Sequence, residues 1–200
     1  MNSIEPLDKL TSLLGRLPGV GRRSAERMAL KLVRDSRGLV RDLIGALQEV
    51  DAKVCACSLC GGITLKAQDP CSLCQDPKRD SRIICVVEDP GDILLMERTA
   101  QFRGRYHALM GKLSPMKGEG LQDLRVDALL KRIDQEKVEE VILALNSDVE
   151  SDATSAFLQH ALSTRKVKVS RLALGIPAGS EIAYSDPVTL SRALHNRQPV

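Results

Sequence analysis

The chain has 200 residues, 43% of them apolar and only 2% aromatic, with no Trp, two Tyr and two Phe. That length admits one ordinary domain or two to three small ones, and so few rings argue against modules that stack bases on aromatic platforms. The net charge is only +3, but residues 15–41 hold eight basic side chains (Arg16, Arg22, Arg23, Arg27, Lys31, Arg34, Arg37, Arg41) against Glu26 and Asp35, which makes this segment +6 and the remainder −3. Positive charge concentrated in one segment is the footprint expected for a polyphosphate partner.

In chain order, Leu7, Leu10, Leu13, Leu14 and Leu17 have the spacing of one apolar helical face over residues 6–17. Pro18-Gly19-Val20-Gly21 breaks that helix. Ala25, Met28, Ala29, Leu32 and Val33 then resume the pattern, with Arg23, Arg27, Lys31 and Arg34 on the other side. Val40, Leu43, Ile44, Leu47 and Val50 predict a third helix, so the first fifty residues form a small helical unit. Residues 54–77, rich in Gly, Pro and Asp, read as loop. Beyond Arg79, strand-like runs at 83–87, 106–110, 141–145 and 167–173 alternate with helical patterns at 93–99, 121–133 and 153–163. Alternating strands and helices predict a mostly parallel sheet covered by helices. Asp89-Pro90 and Asp186-Pro187 read as N-caps followed by Pro at the first helical position.

The opening MNSIEPLDK has neither a basic start nor an apolar run, so no secretory signal is expected. The longest apolar runs are too short to span a bilayer. A cytoplasmic location without a membrane partner is expected, and there close-spaced cysteines serve metals or redox chemistry more often than disulfides.

Cys57-x2-Cys60 and Cys71-x2-Cys74 are two knuckles able to present four thiolates to one tetrahedral ion, with Gly61 and Gly62 suited to the turn. A redox dithiol would sit at a helix start after a strand, which is not the setting here. One structural Zn2+ per chain is expected; four sulfur ligands leave no position for water, so such an ion holds structure. Cys55 is a competing ligand with poorer spacing, and Cys85, inside an apolar strand, reads as a core residue.

Gly19-Val20-Gly21 followed by Arg22 and Arg23 is a helix, a glycine hairpin and a second helix. Glycines let backbone approach a phosphate, the helix start offers free N–H groups, and Arg23 and Arg27 stand one turn apart. The pattern fits a grip on nucleic acid that does not read sequence; a plain helix connection with solvated arginines is the competing reading.

Glu88 ends the run Ile-Cys-Val-Val, Asp92 follows one turn later, and Glu150 and Asp152 follow the strand at 141–145. In an open parallel sheet these acids lie at the carboxyl ends of strands, where Glu88, Glu150 and Asp152 with few basic neighbours can hold Mg2+. Equally, such acids cap helices. No catalytic constellation emerges, and His107, His160 and His195 read as packing or surface residues.

Taken together, the chain resembles the RecR family of bacterial recombination mediators over nearly its whole length. The resemblance rests on Leu-Pro-Gly-Val-Gly with Ser-Ala-Glu-Arg-Met-Ala, the four cysteines, Ile-Cys-Val-Val-Glu, Phe-Arg-Gly-Arg-Tyr-His at 102–107, Leu-Ser-Pro-Met-Lys-Gly-Glu-Gly at 113–120, and Gly-Ile-Pro-Ala-Gly at 175–179. It implies an α+β multidomain fold: a helix-hairpin-helix DNA-binding domain (1–53), a four-cysteine zinc element (54–77), a Toprim domain (78–174) and a C-terminal oligomerisation segment (175–200). It further implies dimers and ring-like tetramers on single- and double-stranded DNA, with RecO and RecF as partners in loading recombinase at gaps. Gly19, Val20, Gly21, Arg23 and Arg27 match the DNA-binding hairpin, and Glu88 and Asp92 match acids that engage RecO. Three departures stand out. Glu150-Ser151-Asp152 replaces the Asp-x-Asp of Toprim enzymes and weakens the Mg2+ expectation, Asn146-Ser147-Asp148-Val149 replaces an Asn-Pro loop, and Arg22 stands where Pro is frequent.

A non-enzymatic, nucleoid-associated mediator of repair is thus the expected function. The competing readings are a Mg2+-dependent Toprim nuclease or primase and a zinc-ribbon RNA-associated module.

Overall fold

The computed structural model describes residues 4–114, 120, 122 and 124–197. The core of the 113–120 motif and the predicted helix start at Leu121 therefore fall outside the described residues. The chain divides into two compact units, residues 1–54 and 55–200.

The first unit is helical: α1 (Glu5–Leu14), α2 (Arg22–Arg34) and α3 (Leu39–Lys53). In these helices only Ala25 and Ala29 of α2 are buried. A Cβ at Gly15 would lie 3.8 Å from that of Ala25, so α1 and α2 approach through small residues. The apolar row of α3 is where periodicity and structure diverge. Leu43, Ile44, Leu47 and Val50 are 42–67% exposed.

The second unit opens with β1 (Val54–Ala56) paired to β2 (Ile63–Leu65), a 3-10 turn and α4 (Ser72–Gln75), so the segment expected to be loop carries short regular elements around its cysteines. Then follow β3 (Asp80–Val87), α5 (Pro90–Arg98), β4 (Gly104–Ala108), α6 (Val126–Glu136), β5 (Glu140–Leu143), α7 (Val149–Leu162), β6 (Lys168–Arg171) and α8 (Pro187–His195). The four long strands form one parallel sheet in the order β4-β3-β5-β6.

Alternation along β3 explains the layering. Ile84 and Val86 join Leu129 and Ile133 of α6 and Leu158 and Leu162 of α7 on one face. Cys85 and Val87 join Ile93 of α5, Tyr106 and Ala108 on the other. All four β3 residues are fully buried, each apolar side chain contributing about 1.5–3 kcal/mol of burial. A continuous apolar run is what a strand covered on both faces requires.

Several boundaries shift for local reasons. β4 begins at Gly104, where a Cβ would collide with the Phe102 ring and the Ile83 carbonyl, and ends before Met110, whose φ is +67°. The helix predicted from residue 153 starts at Val149, because the Asp148 side chain accepts from Ser151 N. Both predicted Asp-Pro caps are present: Asp89 and Asp92 form a reciprocal capping box on α5, and Asp186 accepts from Val188 N and Thr189 N on α8.

Candidate functional site

The four knuckle cysteines come together. Their Sγ atoms all lie within 4.8 Å of one another, and among the described residues they are the one group of three or more Cys, His, Asp or Glu able to hold a metal ion. Cys57 Sγ is 4.0 Å from Cys74 Sγ, and Cys60 Sγ is 3.5 Å from Cys71 Sγ. A tetrahedron with Zn–S bonds of about 2.3 Å has edges of about 3.8 Å, so this donor set fits zinc. Backbone donors reach two sulfurs, Gly62 N on Cys60 and Cys71 N on Cys57, each at 3.3 Å. The hydrogen bond with Cys71 pushes the Cys60 thiol up to about 12. Hydrogen bonds from Cys60 and Cys74 draw Cys71 down to about 2. Cys74 is raised by both neighbours and by burial. Crowded, buried sulfurs do not all ionise alone; a divalent cation among them removes that conflict. Cys55 stays outside the group, and Cys85 is buried in the sheet, its thiol pushed up to about 12 by desolvation.

This element is built onto the sheet. Ala108 N, at the end of β4, donates to Cys60 O at 2.7 Å, and Arg125 Nη2 donates to Ser58 O at 2.9 Å and Leu59 O at 3.2 Å. Gly61, with φ +77°, lies so close that a Cβ would come within 3.1 Å of Ala108 O. His107 is fully buried beneath this junction, with Nε2 2.9 Å from Arg125 O, and desolvation holds its pKa down to about 4. It is a packing residue, as read from sequence, while His160 and His195 are exposed.

In the hairpin, Val20 N donates to Leu17 O at 3.0 Å and Gly19 adopts φ +76°, the conformation that calls for glycine. Gly21 is the N-cap of α2 without a side-chain cap, and α2 has no acid in its first turn. A Cβ at either glycine would meet nothing within 4 Å. The helix start is therefore open, its N–H groups and positive dipole end free to receive an anion. Arg23 and Arg27 are exposed, and neither takes part in an ion pair among the described residues.

The carboxylates behave differently from expectation. Glu88, 6% exposed, sits at the carboxyl end of β3, where the strand order reverses toward β5. Its oxygens accept from Asn146 N at 2.9 Å and Asn146 Nδ2 at 2.7 Å. Asp92 accepts from Asp89 N and so completes the capping box. Few basic neighbours were expected around the other acids, but Lys112 Nζ lies 2.6 Å from Asp148 and 3.1 Å from Glu150, and Asp152 is 2.7 Å from Arg171 and 3.4 Å from Arg192. Lys112 and then Ser151 N hold the Asp148 carboxyl down to about 2. Glu88, Glu150 and Asp152 do not gather into a group like that of the cysteines, and Glu150 and Asp152 have cationic partners instead.

Sequence reasoning missed Lys112, Arg171 and Arg192, and named Asn146 only as part of an altered loop, without its bonds to Glu88. For Asn146 a signal existed: β3 and β5 pair Val86 with Leu143, which brings the residues after each strand to one edge. Arg192 meets Asp152 across 40 positions, and no local pattern announces that contact.

Residues 82–173 match the family described as Toprim domain, residues 7–50 match RecR, helix-hairpin-helix, and residues 175–198 match RecR, C-terminal. Relatives each named recombination protein RecR come from Moorella thermoacetica, 49% identical over 96% of both chains, from Anaeromyxobacter sp. strain Fw109-5, 46% identical over 97% of both, and from Thermobifida fusca, 45% identical over 96% of both. The chain belongs to the RecR family of recombination proteins.

Proposed function

We propose that this protein is a non-enzymatic mediator of DNA recombination and repair. It binds single- and double-stranded DNA without reading sequence, through Gly19, Val20, Gly21, Arg23 and Arg27. The observation that carries this reading is the open, acid-free start of α2 beside two exposed arginines that have no acidic partner among the described residues. A phosphate placed there meets backbone N–H groups, the helix dipole and two guanidinium groups together.

Cys57, Cys60, Cys71 and Cys74 hold one structural Zn2+, which, when bound, offsets two of the four thiolate charges and fixes the knuckles. Assembly into dimers and tetrameric rings uses the terminal segments. In support, the apolar row of α3 is exposed on the helical unit, and Ile182, Tyr184, Val188 and Leu194 near the C-terminus are 60–86% exposed. RecO and RecF are the partners in loading recombinase at gaps, with the β3 carboxyl end as the RecO surface. Glu88 shapes that edge through Asn146, and Asp92 does so through the α5 cap. The absence of Toprim catalysis is supported by the Lys112, Arg171 and Arg192 partners of Asp148, Glu150 and Asp152. Work on chromosomal DNA implies a cytoplasmic, nucleoid-associated protein; no helix among the described residues is long and apolar enough to cross a membrane.

The test is a salt titration of DNA binding. Arg23→Ala with Arg27→Ala removes two phosphate contacts, so the slope of log K against log salt falls by about 1.4 on single strands and about 1.8 on duplex per engaged chain. Unchanged affinity and slope overturn the hairpin assignment.

A further inference from the structure

On a helix of about 100° per residue, Arg23, Arg27, Lys31 and Arg34 of α2 fall within an arc of about 80°. The buried Ala25 and Ala29 face the opposite way, so this stripe is the outer edge of the helix. All four cations are exposed, as is Arg37 just beyond the helix end. Of the segment's two acids, Glu26 pairs with Arg22 at 3.1 Å, and Asp35, at the end of α2, spends Oδ2 on Arg37 N and Leu39 N, leaving one carboxylate against the cations there. Among the described residues no ion pair involves Arg23, Arg27, Lys31, Arg34 or Arg37. Surface cations this dense ordinarily pair with neighbouring acids, and here the row is left uncompensated.

Successive members are about one turn, 5–6 Å, apart, and the row from Arg23 to Arg34 runs about 16 Å along the helix. Its far half lines an open groove of about 870 Å³ whose polar walls are Arg27, Lys31, Arg34, Asp35, Ser36 and Arg37, four cations against one acid. That groove lies at the negative end of the α2 dipole, where no helix N–H groups are available to an anion. Side-chain cations alone must hold a ligand there; of the four on its walls Arg27 is shared with the hairpin, and Lys31, Arg34 and Arg37 belong to the groove alone.

We propose that α2 carries a second phosphate-binding site, formed by Lys31, Arg34 and Arg37, and that one polynucleotide strand runs along the helix from the hairpin to this groove. The inference rests on the hairpin's being the DNA grip and extends that grip into a track. The hairpin fixes one phosphate by backbone donors and dipole, while the ridge holds the following phosphates by charge. Arg22 is the built-in contrast, because it points about 100° away from Arg23 and is occupied by Glu26.

The experiment compares four full-length proteins on a long oligo-dT strand and on a mixed-sequence duplex: wild type, Lys31→Gln/Arg34→Gln/Arg37→Gln, Arg23→Ala/Arg27→Ala, and Arg22→Gln. The triple variant is expected to lower the salt slope by about 2 on the strand and by about 2.7 on the duplex per engaged chain, while Arg22→Gln leaves it within about 0.3. A triple variant with the wild-type slope, beside a weakened hairpin variant, overturns the track and leaves the hairpin reading standing. Loss per charge equal in Arg22→Gln and the triple variant also overturns it, since a diffuse field then suffices. Wild-type behaviour in both the hairpin and the triple variants overturns the DNA reading itself. Helix content by circular dichroism checks folding, and Arg37→Gln alone, outside the helix, must still lower the slope by about 0.7–0.9 if the triple variant loses helix.

Discussion

Replacing Cys57 with serine takes away one of four sulfurs packed within 4.8 Å. The loss can be scaled from the ion. Structural zinc sites of this kind bind with about 10–16 kcal/mol, or about 3 kcal/mol for each of four ligands. The backbone around residue 57 has no reason to change, since Cys57 N still donates to Gly62 O and Gly61 N still donates to Cys57 O. What fails is the cage, and with it the surface docked on the sheet through Cys60 O, Ser58 O and Leu59 O. Leu73 of α4 packs against both the cysteine cluster and the Cys85, Val87 and Tyr106 cluster, so loosening the knuckles opens that face of the core. A loss of about 3 kcal/mol in a unit of this size lowers the melting temperature by about 6–12 °C. Removing the ion altogether costs an amount comparable to the whole stability of a domain, about 5–15 kcal/mol, and should unfold the second unit. The assay is thermal melting by circular dichroism beside metal analysis. Wild type should carry one zinc per chain, and Cys55→Ser should keep both its zinc and its melting temperature within about 2 °C. A Cys57→Ser protein that has lost zinc yet melts like wild type would refute the reasoning.

His107 sets a second expectation. Burial lowers its folded pKa to about 4, against 6.5 in the unfolded chain, so the unfolded chain binds the extra proton between those values. Its contribution is full above pH 6.5 and is lost as pH falls through 4, about 3 kcal/mol in all. Urea midpoints of His107→Gln should therefore change less between pH 7 and pH 4.5 than those of wild type, and parallel curves would contradict this. Asp92→Ala removes half of the α5 capping box and should cost about 1 kcal/mol, a shift of about 2–4 °C in thermal melts; an unshifted melt would show that the cap contributes nothing.

Much of this architecture is legible in residues that carry their own geometry. Two Cys-x2-Cys pairs state a closed cage, Asp-Pro states a helix start, and Ile-Cys-Val-Val states a strand covered on both faces. Asp92 illustrates how the same residue supports two readings, and its bond to Asp89 N gives it a structural role beside any partner contact. The remainder depends on partners distant in the chain. The carboxylates after β3 and β5 look free in sequence because Lys112 is 36 positions from Asp148 and Arg192 is 40 from Asp152. The knuckles look like a separate module because nothing local tells that Arg125 and Ala108 will hold their carbonyls. The row on α3 has the periodicity of a core face, and periodicity does not say whether the helical unit itself supplies the covering surface.

The central claim is that this chain grips DNA without performing chemistry on it. The direct measurement is incubation of stringently purified protein, at concentrations that bind all of the DNA, with labelled single strands and duplexes in Mg2+ or Mn2+, with and without nucleotides. Complete binding with every strand neither cut nor extended is the predicted result. Metal-dependent cleavage or extension that disappears in Asp152→Asn or Glu88→Gln would contradict the account, because it would make the acids at this sheet edge a catalytic centre despite their lysine, arginine and asparagine partners.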